Sequence, residues 1–196
     1  MNKVDSTTLK ILFTEARSHN GWRPDPVSDA ELENAYEIAK FGPTSMNTQP
    51  MRIVFLRTDA AKERLRPALA PGNVEKTMTA PVVAIIAYDT AFYTRLRTLF
   101  PHKPDARALY EGKEALIEGT AFRNGTLQGA YFMLALRAQG LDVGPMSGFD
   151  PVKVNEVFFA GTTLKANFLC GIGHGNPEKL FGRSPRLSLA EISQVL

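Results

Sequence analysis

Five short polar and basic clusters stand out along the chain. They are Arg17-Ser18-His19-Asn20, Pro43-Thr44-Ser45-Met46-Asn47-Thr48-Gln49-Pro50, Asn73-Val74-Glu75-Lys76, Gly144-Pro145-Met146-Ser147-Gly148, and Arg183 with Arg186. Taken singly, each is ordinary loop chemistry. Taken together, they hold two donor sets. A phosphate-bearing ligand needs two or more cations with hydroxyl or backbone donors. A planar heterocycle with carbonyl and ring-nitrogen positions needs amide, lysine and backbone N–H partners. The sequence supplies both sets on distant segments, which points to a nucleotide-like cofactor.

Other chemistries find little support. There is no G-x-G-x-x-G, P-loop or G-x-S-x-G segment. His19, His102 and His174 are scattered, no Cys/His spacing suits zinc, and no metal site is expected. Cys170 sits in an apolar run, where desolvation keeps a thiol protonated and inert.

Composition narrows the class further. The chain has 196 residues, 44% of them hydrophobic, with 23 Lys and Arg against 20 Asp and Glu. A net charge of +3 on a chain of this length argues against nucleic acid as a partner. The apolar runs fall short of the roughly 20 residues that span a bilayer, so no membrane association is expected. One cysteine allows no intrachain disulfide, and Asp5 and Glu15 interrupt any secretory pattern. A cytoplasmic protein of one domain, residues 1–196, is the expectation.

The elements that must position the clusters can be read from periodicity. Leu9, Leu12, Phe13 and Ala16 share the face of a helix over residues 8–17. Ser28 and Glu31 form a capping box, and Leu32, Ala35, Tyr36 and Ala39 follow as a buried stripe that ends at Gly42-Pro43. Residues 52–57 read as a strand, 59–69 as a charged helix and 73–80 as one or two helical turns. Residues 81–88 are a continuous Val/Ile/Ala run, expected to be a central strand buried on both faces. Residues 91–112 interleave Arg95, Arg97, His102, Lys103 and Arg107 with aromatics. They read as an insertion too irregular for core, folded over the surface as a possible active-site lid. Residues 113–139 are helical, and 130–138 are apolar nearly all round, which requires burial in the domain or at a subunit interface. Residues 142–149 read as a Gly-rich segment, 151–159 as a helix and 167–172 as a buried strand. Helices outnumber strands without βαβ alternation, which makes the class α+β.

The order and spacing of the clusters resemble the nitroreductase-like FMN family over essentially the whole chain. Residues 42–50 look like its P-S-x-x-N-x-Q-P segment, Asn73-x-x-Lys76 before the 81–88 strand like its second flavin segment, and residues 140–149 like the loop passing the reactive edge of the flavin. Within the family the chain is most similar to a branch assigned as malonic semialdehyde reductases of pyrimidine catabolism. That likeness is carried by Arg17-Ser18-His19-Asn20-Gly21-Trp22, residues 65–69, Leu99-Phe100-Pro101-His102, residues 120–124 and Gly144 to Asp150.

The resemblance implies a mainly antiparallel mixed sheet flanked by helices, in an intertwined homodimer with two FMN sites at the interface. By it, one subunit supplies Arg17, Ser18, Asn20, Asn73 and Lys76, with Arg183 and Arg186 on the phosphate. Met146, Ser147 and Gly148 pass N5, which does the redox work without a catalytic side chain. The other subunit supplies Pro43, Thr44, Ser45 and Asn47. NADH or NADPH would be the transient reductant, and malonic semialdehyde, reduced to 3-hydroxypropionate, the favoured acceptor. A cation in the 91–112 segment, Arg97 first and Arg107 second, would meet its carboxylate. The alternatives are a broad nitro, quinone or enone reductase and a flavin-binding protein without turnover. Ala16 and Asn20 stand where many family members carry basic residues, and Thr44 stands for the commoner serine.

Overall fold

The computed structural model describes residues 3–196. A four-stranded antiparallel sheet in the order β1-β2-β4-β3 forms its centre, from β1 (Met51–Leu56), β2 (Val82–Asp89), β3 (Asp142–Met146) and β4 (Leu164–Gly173). All eight residues of β2 are buried, as its unbroken apolar run requires. Period-two alternation divides them between two cores. Val82, Ala84 and Ile86 face a layer with Leu32, Phe132 and Leu136, while Val83 and Ile85 face Leu65, Val154 and Leu169.

The first layer is built by α2 (Asp29–Ala39) and α6 (Glu114–Ala138). The Ser28/Glu31 capping box starts α2. At its far end Gly42 lets the chain meet α6 closely, since a Cβ there would lie 2.6 Å from the Tyr131 ring. The second layer comprises α3 (Asp59–Leu65), α4 (Pro71–Met78) and α7 (Pro151–Phe158). Proline at the first turn starts both α4 and α7, and Asp150 caps α7 by accepting from Val152 and Lys153. The chain begins with α1 (Ser6–Leu9), continued by a π-helical turn over Lys10–Thr14, and carries α8 (Leu189–Ile192) near its end.

Several expectations need correction. The first helix stops at Thr14, and its Leu9 and Phe13 are exposed in the single chain because no neighbour covers that face. Tyr36 is likewise exposed. The Gly-rich 142–149 segment forms strand β3 as far as Met146: pairing with β4 overrides its poor intrinsic propensity. The ladders of the sheet are all antiparallel, and an isolated parallel bridge joins Ser18 to Val143. The 91–112 segment is short helical turns, including α5 (Leu96–Leu99), around a core of its own: Phe92, Leu96, Ala106 and Tyr110 are buried. Period failed to reveal it because its turns are too short to show a repeat. In α6 the stripe through Asn124, Gln128, Phe132 and Leu136 is buried, while Phe122, Leu127 and Tyr131 remain exposed. No helix among the described residues is long and apolar enough to cross a membrane.

Candidate functional site

Residues 17–22 run extended along the sheet. His19 N–H donates to the Val143 carbonyl at 3.0 Å, and Trp22 pairs with Gly175 beyond the end of β4. Alternation then turns His19 inward and leaves Ser18 exposed and Asn20 half-buried. The Trp22 indole N–H donates to the carbonyl of Lys76 at 2.8 Å, fastening this segment to α4.

This arrangement brings most of the predicted residues into one band. Arg17, Ser18, Asn20, Arg183 and Arg186 line a cleft of about 570 Å³ together with Arg137. Four guanidinium groups and no carboxylate border it. Arg17 donates to the carbonyl of Phe181, and Arg183 to that of Ala16 at 3.1 Å, so the C-terminal tail is laid against the first cluster. Asn20 and Phe181 also border a second cleft of about 500 Å³, which Lys76 lines. There Lys76 Nζ lies 3.5 Å from Asn20 Oδ1, and burial pulls its ammonium below the ordinary lysine range. Gly148 lies beside α4, its carbonyl accepting from Ala70 N–H at 3.0 Å and Asn73 Nδ2 at 2.8 Å. Ser147 is exposed next to it. Met146 turns into the core, where its sulfur accepts from Thr77 at 3.4 Å, and like Ser147 and Gly148 it lines neither cleft.

The loop holding Pro43, Thr44, Ser45 and Asn47 lies elsewhere in the chain. It enters β1 at Met51, opposite Tyr88 near the C-terminal end of β2, whereas Ser18 pairs beside Val143 at the other end. The length of β2 separates the two, roughly 20 Å. The loop is strained: Met46, Asn47 and Gln49 all have positive φ, 51°, 51° and 42°, without a glycine among them. Ser45 N–H donates to Asn124 Oδ1 at 2.8 Å and Met51 N–H to Gln128 Oε1 at 2.9 Å, which clamps it onto α6. Asn47 Nδ2 donates to the Leu99 carbonyl at 2.8 Å, so the 91–112 segment packs on this loop. Within that segment Arg107 is tied to Glu111 at 2.5 Å, and Arg97 is exposed.

Sequence reasoning missed four residues: Arg137, Asn124, Gln128 and Asp142. Arg137 is the one cation in an apolar stretch of α6, and an isolated charge there is a usable signal: it reaches the arginine cleft while donating to the Leu12 carbonyl at 3.2 Å. Asn124 and Gln128, four apart on the buried face of α6, are a second signal. His19 meets Asp142 at 3.2 Å, a long-range pair with no local signature. Cys170 conforms to expectation, its thiol pushed up to about 12 by burial.

Comparison with known proteins shows the family and the fold. The Nitroreductase family model matches residues 14–174. A Cupriavidus pinatubonensis protein, provisionally named NADH dehydrogenase/NAD(P)H nitroreductase, is 58% identical over 95% of this chain and 96% of its own. A Ralstonia pickettii protein with the same provisional name, HadB, is 57% identical over 94% of this chain and 95% of its own. Among solved structures, a provisionally assigned nitroreductase from Exiguobacterium sibiricum in complex with FMN superposes with a TM-score of 0.85 at 20% identity, covering 100% of both chains.

Proposed function

The chain belongs to the Nitroreductase family, and we propose that it is an FMN-dependent oxidoreductase that uses NAD(P)H to reduce a small electrophile, most specifically malonic semialdehyde to 3-hydroxypropionate. The observation that carries the proposal is the carboxylate-free arginine cleft, joined through Asn20 to the Lys76, Asn73 and Gly148 group. The donor chemistry fits FMN. Arg17, Arg137, Arg183 and Arg186 suit a phosphate dianion, and Asn73, Lys76 and the Gly148 N–H suit the edge of a heterocycle. Bound FMN supplies hydride chemistry, with electrons entering from reduced nicotinamide and leaving to the electrophile.

The residues have separate tasks. The arginines hold the phosphate away from the reacting edge. Lys76, partly desolvated, favours the extra negative charge of a reduced ring. Gly148 allows close backbone approach, because a Cβ there would lie 2.6 Å from Asn73 Nδ2. Hydride transfer calls on no nucleophilic side chain of the chain itself, and reduction of an aldehyde takes up one proton besides the hydride.

The site is split. The 43–47 loop stands a strand-length away from the arginine cleft, so its residues serve a second subunit's cofactor in the homodimer we propose. The exposed Phe122, Leu127 and Tyr131 of α6 supply an apolar face for that contact, and the tail leaves Leu187, Leu189 and Ile192 exposed at 67%, 74% and 65%. A cytoplasmic location accords with this reading. A broader nitro or quinone reductase is the second reading, favoured by the engagement of Arg107 with Glu111.

The purified protein is expected to be a yellow dimer that releases FMN on denaturation. Anaerobic NADH or NADPH should bleach it, and malonic semialdehyde should restore the colour. A colourless monomer unresponsive to FMN would overturn the flavin reading. Re-oxidation by nitroarenes and quinones but not by the aldehyde would establish the second reading.

A further inference from the structure

We infer that His19 is a positioning residue for the cofactor cleft, its Nε2 contact with Asp142 adding to the backbone bond to Val143 in holding residues 18–20 on β3 so that Ser18 and Asn20 face the ligand. The inference deepens the flavin reading and rests on it. His19 and Asp142 border a neighbouring pocket with Arg17 and Arg137, and neither lines the clefts that hold Arg183, Arg186 and Lys76.

The latch is visible in the packing. His19 is 7% exposed, and its Nε2 lies 3.2 Å from Asp142 Oδ1. The other Asp142 oxygen accepts from Gly175 N–H at 2.8 Å, so one carboxylate ties the segment to both β3 and the end of β4. The ring fills the space over Gly175 so closely that a Cβ there would sit 1.8 Å from Nδ1. Nδ1 is buried and has no partner. A bare lone pair is the tolerable occupant of that position, whereas an N–H would be an orphan donor. The arrangement therefore selects the neutral tautomer with the proton on Nε2, where Asp142 receives it. On the far side Trp22 is held by the Lys76 carbonyl. The two anchors bracket Asn20, which with Phe181 borders both the phosphate-type and the ring-type cleft.

Such a latch preorganises the ligand donors. Without it the bound cofactor must order the segment, which lowers affinity and leaves the reacting edge untouched. His19→Gln retains an N–H donor at the Nε2 position, and His19→Leu keeps comparable bulk without one. Dilution of each holoprotein, followed by flavin fluorescence, reports FMN release. His19→Leu is expected to raise the FMN dissociation constant by about tenfold or more, the scale of one lost charge-assisted hydrogen bond. His19→Gln should stay within about threefold of wild type, and kcat at saturating FMN should change less than about twofold in either. Wild-type affinity in His19→Leu, or equal loss in both variants, would overturn the latch and leave only packing. Wild-type protein that takes up no FMN would instead overturn the flavin reading. The ¹⁵N resonances of His19 decide the latch in wild type, with or without flavin and whether or not His19→Leu folds. Protonated Nε2 with bare Nδ1 is expected, and the opposite tautomer overturns it.

Discussion

Asn73 donates from Nδ2 to the carbonyl oxygen of Gly148 at 2.8 Å, joining the first turns of α4 to the loop that leaves β3. The contact needs a residue without a side chain at 148, because a Cβ there would lie 2.6 Å from the same nitrogen. Gly148→Ala must therefore displace Asn73 or the loop. The expected result is FMN affinity weakened by about tenfold or more, with loss of a hydrogen bond and of close backbone approach acting together. Melting temperature should fall by only a few degrees, since both groups lie outside the two main cores. Equal FMN retention in Gly148→Ala and wild type would remove this loop from the site.

Lys76 offers a test in electrical units. Burial already holds its ammonium below the usual range, so the charge is imperfectly solvated and gains from an anionic neighbour. Its side chain can be replaced without disturbing the carbonyl that receives the Trp22 indole N–H. Lys76→Met is expected to make the two-electron midpoint potential of bound FMN more negative by on the order of 30 mV, equivalent to about 1.4 kcal/mol. An unchanged potential, measured by equilibration with redox dyes, would place Lys76 away from the ring.

The sequence was most legible where one physical signal dominated. The 81–88 run could only be a strand buried on both faces, and the Ser28/Glu31 box could only open a helix. Strand β3 was hidden because Gly144 and Pro145 are weak strand formers, yet Gly144 is required where a Cβ would meet the His19 carbonyl oxygen at 2.4 Å. The site divided in the same way. Arg17, Ser18, Asn20, Arg183 and Arg186 could be chosen by type, and the fold does gather them. Arg137 carries only the weak signal of a lone charge in an apolar helix, and Asp142 enters only through a tertiary contact that no local spacing encodes.

Asp142 should leave a signature in acid. Its burial acts to raise the carboxyl, but hydrogen bonds from His19 and from Gly175 N–H outweigh that and hold it below the ordinary range. A carboxyl depressed in the folded state contributes stability that is present above its unfolded value of about 3.9. That contribution is lost as pH falls through the folded value. The melting temperatures of wild type and Asp142→Asn should therefore differ most near neutrality and converge as pH falls below about 4. A difference that is constant from neutral to acid pH would mean that the carboxylate charge adds nothing.

On the function we propose, the 91–112 segment is where substrate choice can be tested. Asn47 holds α5 by its Leu99 carbonyl, so this segment travels with the strained loop that we assign to the second subunit's cofactor. Malonic semialdehyde carries a carboxylate two carbons from its aldehyde, and a selective site needs a cation there. Arg107 has a protein carboxylate already, Glu111 at 2.5 Å. Arg97 is exposed on α5 and has no such partner among the described residues. Arg97→Ala is expected to raise KM for malonic semialdehyde by on the order of tenfold, with kcat nearly unchanged and a neutral aldehyde or quinone little affected. Arg107→Ala should do less, because its loss frees Glu111 without removing a substrate contact. Steady-state kinetics on both acceptors separate the cases. Equal loss on charged and neutral acceptors would indicate damage to the loop packing. No loss on either would remove Arg97 from the pocket and make the broader reductase the better account of the chain.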